Sequence, residues 1–186
     1  MTKNGGISVD PNTRNRIAAS IEGFRLPAYQ EIPDVGLYLE QTAKYISDCL
    51  APVQDLPVTG SMISNYVKKG LIAKPVRKQY NREQIAQLMF IAVAKMVLSM
   101  DDVHLMLTIQ RQTYPSQIAY DYFHTELHYV LDCVLSHEGE LRALDPGATD
   151  QKVMLRNTII ALAHKIYLDK LFAMIREDLI QSDENK

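Results

Sequence analysis

Apolar residues recur at three- and four-residue steps along most of this 186-residue chain, and this spacing constrains the fold more than any other feature. A period of about 3.6 residues places such side chains on one face of an α-helix, so the pattern predicts amphipathic helices packed around a shared core. Hydrophobic residues make up 47% of the chain, which is enough to fill such a core. The predicted fold class is all-α.

Residues that cap helices indicate where the helices of the first half begin and end. Thr59 is a good N-cap, and Gly70 suits the left-handed conformation that often ends a helix. Asn81, followed three residues later by Gln84, has the pattern of a capping box. Between these helices, LIAKPVRKQ is too short and too proline-interrupted for a helix and suits a small β-ribbon. The predicted helices are 37–50, 59–69, one that begins at Asn81, and one from Ser99 to about 112.

The second half is predicted to be helical, with one helix from about residue 115 to 136 and a last helix from about 150 to 180. The last helix is apolar on two sides. Its first stripe is Leu155, Ile159, Leu162 and Ile166, and its second, roughly opposite, is Leu168, Phe172, Ile175 and Leu179. A helix that is apolar on two sides needs two partners or a break. The second partner is either another part of the same chain or a second subunit.

The N-terminal segment and the cysteines bear on the compartment. Residues 1–25 are polar and turn-rich, without the apolar segment of a secretory signal, and predict a flexible arm with a short helical turn around 17–21. No apolar run approaches the roughly 20 residues of a membrane span. Cys49 and Cys133 lie far apart and predict reduced thiols. We therefore expect a cytoplasmic protein without a membrane partner.

The stretch from Leu56 to Arg82 contains no Asp or Glu, although the chain as a whole has a net charge of −2. Its basic residues give this stretch a charge of +6, which leaves −8 for the remainder. They are Lys68, Lys69, Lys74, Arg77, Lys78 and Arg82. A charge run is often only a solvated surface, but a local excess of cations is also what nucleic-acid binding requires.

Within this stretch, SMISNYVKKG (residues 61–70) predicts an amphipathic helix. On a helical wheel Ser61, Ser64, Asn65 and Lys68 share one side, opposite Met62, Ile63, Tyr66 and Val67. Serine and asparagine hydrogen-bond base edges, and lysine neutralises phosphates. We therefore expect the polar side to face the DNA major groove. The predicted small core behind it is Ile63, Tyr66, Val67, Leu71, Ile85 and Leu88.

The short polar helix, the basic ribbon and the capped helix follow one another in the order of a winged helix-turn-helix. In that motif one helix enters the major groove and the wing contacts the DNA backbone. The residues predicted to hold the backbone are Lys69, Lys74, Arg77, Lys78 and Arg82.

These segments also resemble a known family. NYVKKGLI, followed by KPVRKQYNREQIAQLMFIAVAKMVLSMDDV, is similar to the MerR-type winged-helix pattern. More closely, LPAYQEIPDVGLYLEQTAKYI with VTGSMISNYVKKGLI resembles a bacterial domain-of-unknown-function family with MerR-like helix-turn-helix character, over roughly residues 26–170. The resemblance implies an all-α fold with a MerR-like winged helix-turn-helix and a tiny β-wing. It implies that the protein regulates transcription.

The chain departs from MerR regulators in three respects. Ser64 and Asn65 stand where those proteins commonly have Arg and Tyr, and Lys78 replaces an arginine. The ribbon is shorter and lacks the usual Gly-Tyr. The cysteine metal ligands of the family are absent from the second half. The resemblance therefore implies DNA contact but not metal sensing.

Together these patterns predict a flexible arm at 1–25, a winged helix-turn-helix DNA-binding domain at 26–112, and a helical dimerisation and effector region at 113–186. The predicted function is sequence-specific binding of double-stranded DNA by a homodimeric regulator, in which the last helix dimerises. The alternative is a protein-interaction adaptor whose helix-turn-helix no longer binds DNA, which the short ribbon and the missing arginine favour. RNA binding is less favoured, because no aromatic stacking platform accompanies the basic residues.

Other chemistry is not predicted. His124 and His128 could share one metal, but Cys133 and His137 fall on the opposite side of the same helix, so one ion cannot take all four ligands. Asp101 and the residue after it are explained by helix capping. No catalytic motif is present, so we expect no enzyme activity, no cofactor and no metal.

Four tyrosines gather in the second half, at Tyr114, Tyr120, Tyr122 and Tyr129. They line a ligand pocket between helices or pack in the core with their hydroxyls at the surface. Core packing is the favoured interpretation, and a small-molecule effector bound in the C-terminal helical region is left open.

Overall fold

A computed structural model describes residues 12–135 and 140–184. This part of the chain is mostly helical, as predicted, with one two-stranded sheet. The helices are α1 (Thr13–Ser20), α2 (Leu39–Leu50), α3 (Gly60–Lys68), α4 (Arg82–Ala94), α5 (Met100–Thr113), α6 (Ser116–Leu135) and α7 (Asp150–Glu184), with a 3₁₀ turn at Tyr29–Glu31. The strands are β1 (Leu37–Tyr38) and β2 (Gln79–Tyr80).

The predicted helix caps are confirmed. The Thr59 hydroxyl accepts a hydrogen bond from the Met62 amide at 3.3 Å, and Gly70 has a φ of +74°. Asn81 and Gln84 bond reciprocally, each side chain accepting from the other's backbone amide, at 2.9 and 3.0 Å. These bonds satisfy amides that the first turn of α4 would otherwise leave without a partner.

The sheet shortens one predicted helix. Leu37 and Tyr38 were expected to begin a helix, but they form β1 and pair antiparallel with Tyr80 and Gln79. A contact with residues some forty positions away therefore decides their conformation, and α2 begins only at Leu39.

The N-terminal segment differs from the expected flexible arm from residue 12 onward; residues 1–11 lie outside the described part. Thr13–Ser20 is helical, and Ile17 is fully buried. Arg16 forms an ion pair with Asp178 of α7, with 3.0 Å between Nη1 and Oδ1. Ile17, Ile21 and Phe24 all pack on the core. Their four- and three-residue spacing is that of an apolar helical face, and burial of this face holds the segment down.

All seven helices contribute to one hydrophobic core among the described residues. Phe90 of α4 meets Phe123 of α6 edge-on, with ring centroids 5.4 Å apart. The two predicted regions, 26–112 and 113–186, therefore contribute to the same core and pack together.

The two apolar stripes of α7 have different surroundings. Ile159, Leu162 and Ile166, from the first stripe, are at most 2% exposed. In the second stripe, Leu168 is 43% exposed and Phe172 is 50% exposed. The described residues therefore bury most of the first stripe and leave most of the second exposed.

Candidate nucleic-acid interface

Helix α3 presents to solvent the side that the sequence predicts. Ile63 and Tyr66 are buried at 0% and 4% exposure and anchor the helix to the core. The predicted contact residues Ser61, Ser64, Asn65 and Lys68 are all exposed. Ser61 shares a hydrogen bond of 2.9 Å with Thr59, so its hydroxyl is partly engaged within the chain.

Three side chains from other elements hold the segments on both sides of α3. The Ser47 hydroxyl of α2 accepts from the Val58 amide at 2.9 Å. Beyond α3, the Gln84 side chain donates to Ala73 O at 2.9 Å, and the Arg111 guanidinium of α5 donates to Leu71 O. Arg111 was not predicted, because its partner is 40 residues away and no local pattern marks the pair.

The ribbon is a two-residue turn with two basic residues at its tip. Gln79 N donates to Val76 O at 2.9 Å, which closes the turn over Arg77 and Lys78. Both have left-handed backbones, with φ of 51° and 66°. Such a turn normally carries Asn-Gly or Gly-Gly, since a β-carbon makes the left-handed region unfavourable by about 1–2 kcal/mol per residue. Two adjacent basic residues here are thus held in an unfavourable conformation.

Five of the six predicted cations are exposed, and none of them lies within 4 Å of a carboxylate in the part of the chain that the structure describes. They are Lys68, Lys69, Lys74, Arg77 and Lys78. They span eleven positions of the chain, from the end of α3 to the tip of the turn. This segment keeps its positive charge available to an external anion.

The Arg82 side chain, unlike those of the other five predicted cations, forms hydrogen bonds within the described part of the chain. Its Nε donates to Ile32 O at 2.8 Å and its Nη1 to Gln30 Oε1 at 2.9 Å. Asp34 lies 3.9 Å from Nη2, and the Arg82 side chain is only 21% exposed. The structure therefore uses this guanidinium to hold residues 30–34 on the start of α4.

An acidic residue that the sequence places outside the acid-free stretch is brought next to α3. The Glu40 carboxylate lies against Gly60, so close that an added β-carbon would collide with Oε1. A carboxylate near a helix N-terminus stabilises the helix through a favourable interaction with the helix dipole. It also reduces the positive potential at that end of α3, opposite the end that carries Lys68 and Lys69.

The histidines of α6 hold the N-terminal segment. His128 Nε2 accepts from the Leu26 amide at 3.1 Å, while Nδ1 donates to His124 O at 2.7 Å. Burial lowers the pKa of His128, which favours the neutral ring that this pair of bonds needs. Among the described residues, no group of three or more His, Cys, Asp or Glu side chains could hold a metal ion, and His137 lies outside those residues.

Three of the four clustered tyrosines line one cavity. Tyr114, Tyr120 and Tyr122 face a space between four helices. Tyr129 instead packs against Arg142, whose guanidinium carbon is 4.2 Å from the ring centre. Tyr120 is also 4% exposed, so it belongs both to the core and to the wall of the cavity.

Comparison with known proteins gives one match. Residues 27–123, just over half of the chain, match the model of a family described as Domain of unknown function (DUF1836). No curated protein and no solved structure matches the chain. No described helix is both long enough and apolar enough to cross a membrane.

Proposed function

Since the chain belongs to the DUF1836 family, whose description names no activity, we propose a function from the surface of residues 60–79: the protein binds double-stranded DNA and regulates transcription. The observation that carries this proposal is the turn at Arg77 and Lys78. Unfavourable backbone conformations persist where the structure around them enforces them, and they cluster at functional sites. Here the unfavourable conformation places two cations at the tip of an exposed turn, which follows an exposed polar helix in the sequence.

Helix α3 is the proposed reading element. Ser64 and Asn65 lie on its exposed side, and an asparagine side chain pairs with the N6 and N7 atoms of adenine. Lys68 and Lys69 follow at the end of the helix, where they reach phosphates on the edge of the groove. Ile63 and Tyr66 fix the helix from behind, because both are buried.

The turn at 76–79 is the proposed wing. It follows α3 and precedes α4, which is the order of elements in a MerR-like winged helix-turn-helix. Arg77 and Lys78 contact the DNA backbone, and Lys74 adds a charge between helix and wing. Arg82 is not part of this surface, because the chain itself occupies its guanidinium.

The DNA-binding unit is proposed to be a homodimer. Leu168, Phe172, Ile175 and Leu179 are spaced by four, three and four residues, as on the seam of a two-stranded coiled coil. Of these, Phe172 and Leu168 are about half exposed in the single chain. A second copy packed on this seam would bury them and would present two α3 helices to a two-fold operator.

A salt titration of DNA binding tests the proposal. Binding of the full chain to labelled duplex DNA is followed by fluorescence anisotropy as the salt concentration rises. Five phosphate contacts should give a log–log slope of about −4 to −5. Lys68→Ala/Arg77→Ala should reduce the slope by about two and weaken binding to all sequences.

The matched control removes two cations elsewhere. Arg14→Ala/Lys165→Ala changes the net charge equally on α1 and α7 and should leave the slope unchanged. Absence of binding at low salt, or equal losses in the two double variants, would reject the proposed DNA surface. That result would favour the adaptor alternative, which the carboxylate of Glu40 beside α3 and the internal use of Arg82 also support.

A further inference from the structure

A cavity of about 240 Å³ lies between α4, α5, α6 and α7, and no residue of α3 or of the basic turn lines it. Its wall is predominantly apolar, with Phe90, Leu107, Phe123 and Leu155 contributed by the four helices in turn. Concave, mainly apolar cavities are the usual form of small-molecule sites, which measure roughly 300–1,000 Å³ for drug-sized ligands. A smaller cavity suits a molecule with one or two rings.

The tyrosines in the wall are held in place by the chain. Tyr120 donates its hydroxyl proton to Pro27 O at 2.9 Å, and the Tyr114 hydroxyl lies 3.1 Å from Thr149 Oγ1. Because these hydroxyls are bonded away from the cavity, the two rings offer it mainly their apolar surfaces. Aromatic walls of this kind favour an aromatic ligand body, which stacks or packs edge-on.

The charge in the wall is positive. Lys152 is the only charged side chain among the described residues that line the cavity, and no carboxylate pairs with it there. Its Nζ lies 5.3 Å from the centre of the Tyr122 ring. Gln87 and Gln151 also line the cavity, and their side-chain amides make no hydrogen bond to another described residue. The wall thus offers a cation and two free amides as donors.

We propose that this cavity binds a small aromatic carboxylate. The aromatic body lies among Phe90, Tyr120 and Phe123, and the carboxylate meets the ammonium group of Lys152. Gln151, next to that lysine, supplies an amide donor to the same group. Ser116 does not take part, because its hydroxyl already donates to Glu83.

The position of the cavity links it to the surface of residues 60–79. Its wall includes α4 and α5, and these helices also supply the bonds from Gln84 to Ala73 and from Arg111 to Leu71. A ligand that orders the two helices would therefore change DNA affinity, and DNA would change ligand affinity by the same factor. This regulatory consequence rests on the proposed DNA binding, whereas ligand binding itself does not.

The test uses two probes of the same shape, 2-naphthoate and its neutral amide 2-naphthamide, titrated calorimetrically into the full chain without DNA. The carboxylate should bind about tenfold more tightly than the amide. Lys152→Met should reduce this preference to within about twofold, because it removes the charge and keeps most of the side chain. The control Lys165→Met, an exposed lysine of α7 outside the cavity, should retain the full preference.

A second variant locates the site. Ala119→Leu places a larger side chain in the wall and should weaken both probes at least about tenfold, while an unchanged circular dichroism spectrum shows that the fold is intact. The proposal is overturned if naphthoate does not bind, if Lys152→Met keeps the preference, or if Ala119→Leu binds both probes as before. Because DNA is absent, these outcomes are independent of DNA binding. Naphthoate that binds but leaves DNA affinity unchanged would contradict only the regulatory link.

Discussion

Arg156 of α7 and Glu126 of α6 form a buried ion pair, with 2.6 Å between Nη1 and Oε1 and with side chains only 7% and 4% exposed. The contact has the separation of a charge-assisted hydrogen bond but not its alignment, so attraction between the charges holds it. Arg142, 60% exposed, lies 3.6 Å from the other carboxylate oxygen. The pair joins the two long helices at a point where both side chains are buried.

Breaking this pair should strongly destabilise the protein. Arg156→Met leaves the Glu126 carboxylate buried without its close cation, and we expect the free energy of unfolding to fall by about 3–5 kcal/mol. Arg142→Met should lower it by less than about 1 kcal/mol, since that arginine is mostly solvated. Urea unfolding measures both values. Equal losses in the two variants would show that burial of the pair does not matter.

The double variant Glu126→Leu/Arg156→Met should recover most of the loss of stability. Replacing both buried charges by apolar side chains of similar size removes the uncompensated carboxylate. If the double variant is as unstable as Arg156→Met, packing around the pair, and not its charge, sets the stability.

The turn at Arg77 and Lys78 should lower the stability of the protein and raise its affinity for DNA. Arg77→Asn/Lys78→Gly supplies the residues that a left-handed two-residue turn prefers, so thermal unfolding should show a gain of about 1 kcal/mol. The same change removes two cations and should weaken DNA binding in the anisotropy assay. Arg77→Lys keeps both the charge and the left-handed β-carbon. It should therefore leave the stability unchanged and cause no large loss of DNA affinity.

Arg82 should contribute to stability, whereas Lys78 should contribute to DNA binding. Arg82→Ala removes the bonds to Ile32 O and Gln30 and should lower the free energy of unfolding by about 1–3 kcal/mol. Lys78→Ala, at an exposed position, should change it by less than about 0.5 kcal/mol and should instead reduce the salt slope of DNA binding by about one. A stable Arg82→Ala protein would refute the tethering role.

Docking of the N-terminal segment should depend on pH through His128. Burial lowers the pKa of this histidine in the folded state. Its contribution to stability is therefore fully present above the ordinary histidine pKa of about 6.5 and is lost as the pH falls below that value toward the lowered pKa. Protonation would also remove the acceptor of the Leu26 amide. His128→Gln should flatten the decline in melting temperature between about pH 6.5 and 5, and His164→Gln, at an exposed position, should not.

The exposed seam of α7 should determine the oligomeric state. Phe172→Glu places a charge in the centre of the proposed dimer contact and should convert the protein into a monomer of 21.1 kDa by sedimentation. Ala173→Glu adds the same charge at the next exposed position, outside the seam, and should leave the dimer intact. A wild-type chain that sediments as a monomer at high concentration would rule out the dimer.

The features that could be predicted from the sequence are local ones. Apolar spacing and cap residues predicted most helices, and the Thr59, Asn81 and Ser99 caps form as expected, because each cap bond joins residues only three positions apart. The same reasoning predicted the exposed face of α3, because the buried positions Ile63 and Tyr66 fix which side of a helix turns outward.

Features that depend on a partner far away in the chain could be seen only once the chain was folded. Arg82 appears in the sequence as one more cation, yet its partners lie about fifty residues earlier and take it out of the candidate surface. Glu40, which lies outside the acid-free stretch, contacts the start of α3 in the folded chain. Glu126 and Arg156 come into contact only because α6 and α7 pack together. Helical periodicity assigns a side chain to a face but not to a neighbour, because the neighbour depends on how whole helices share one core.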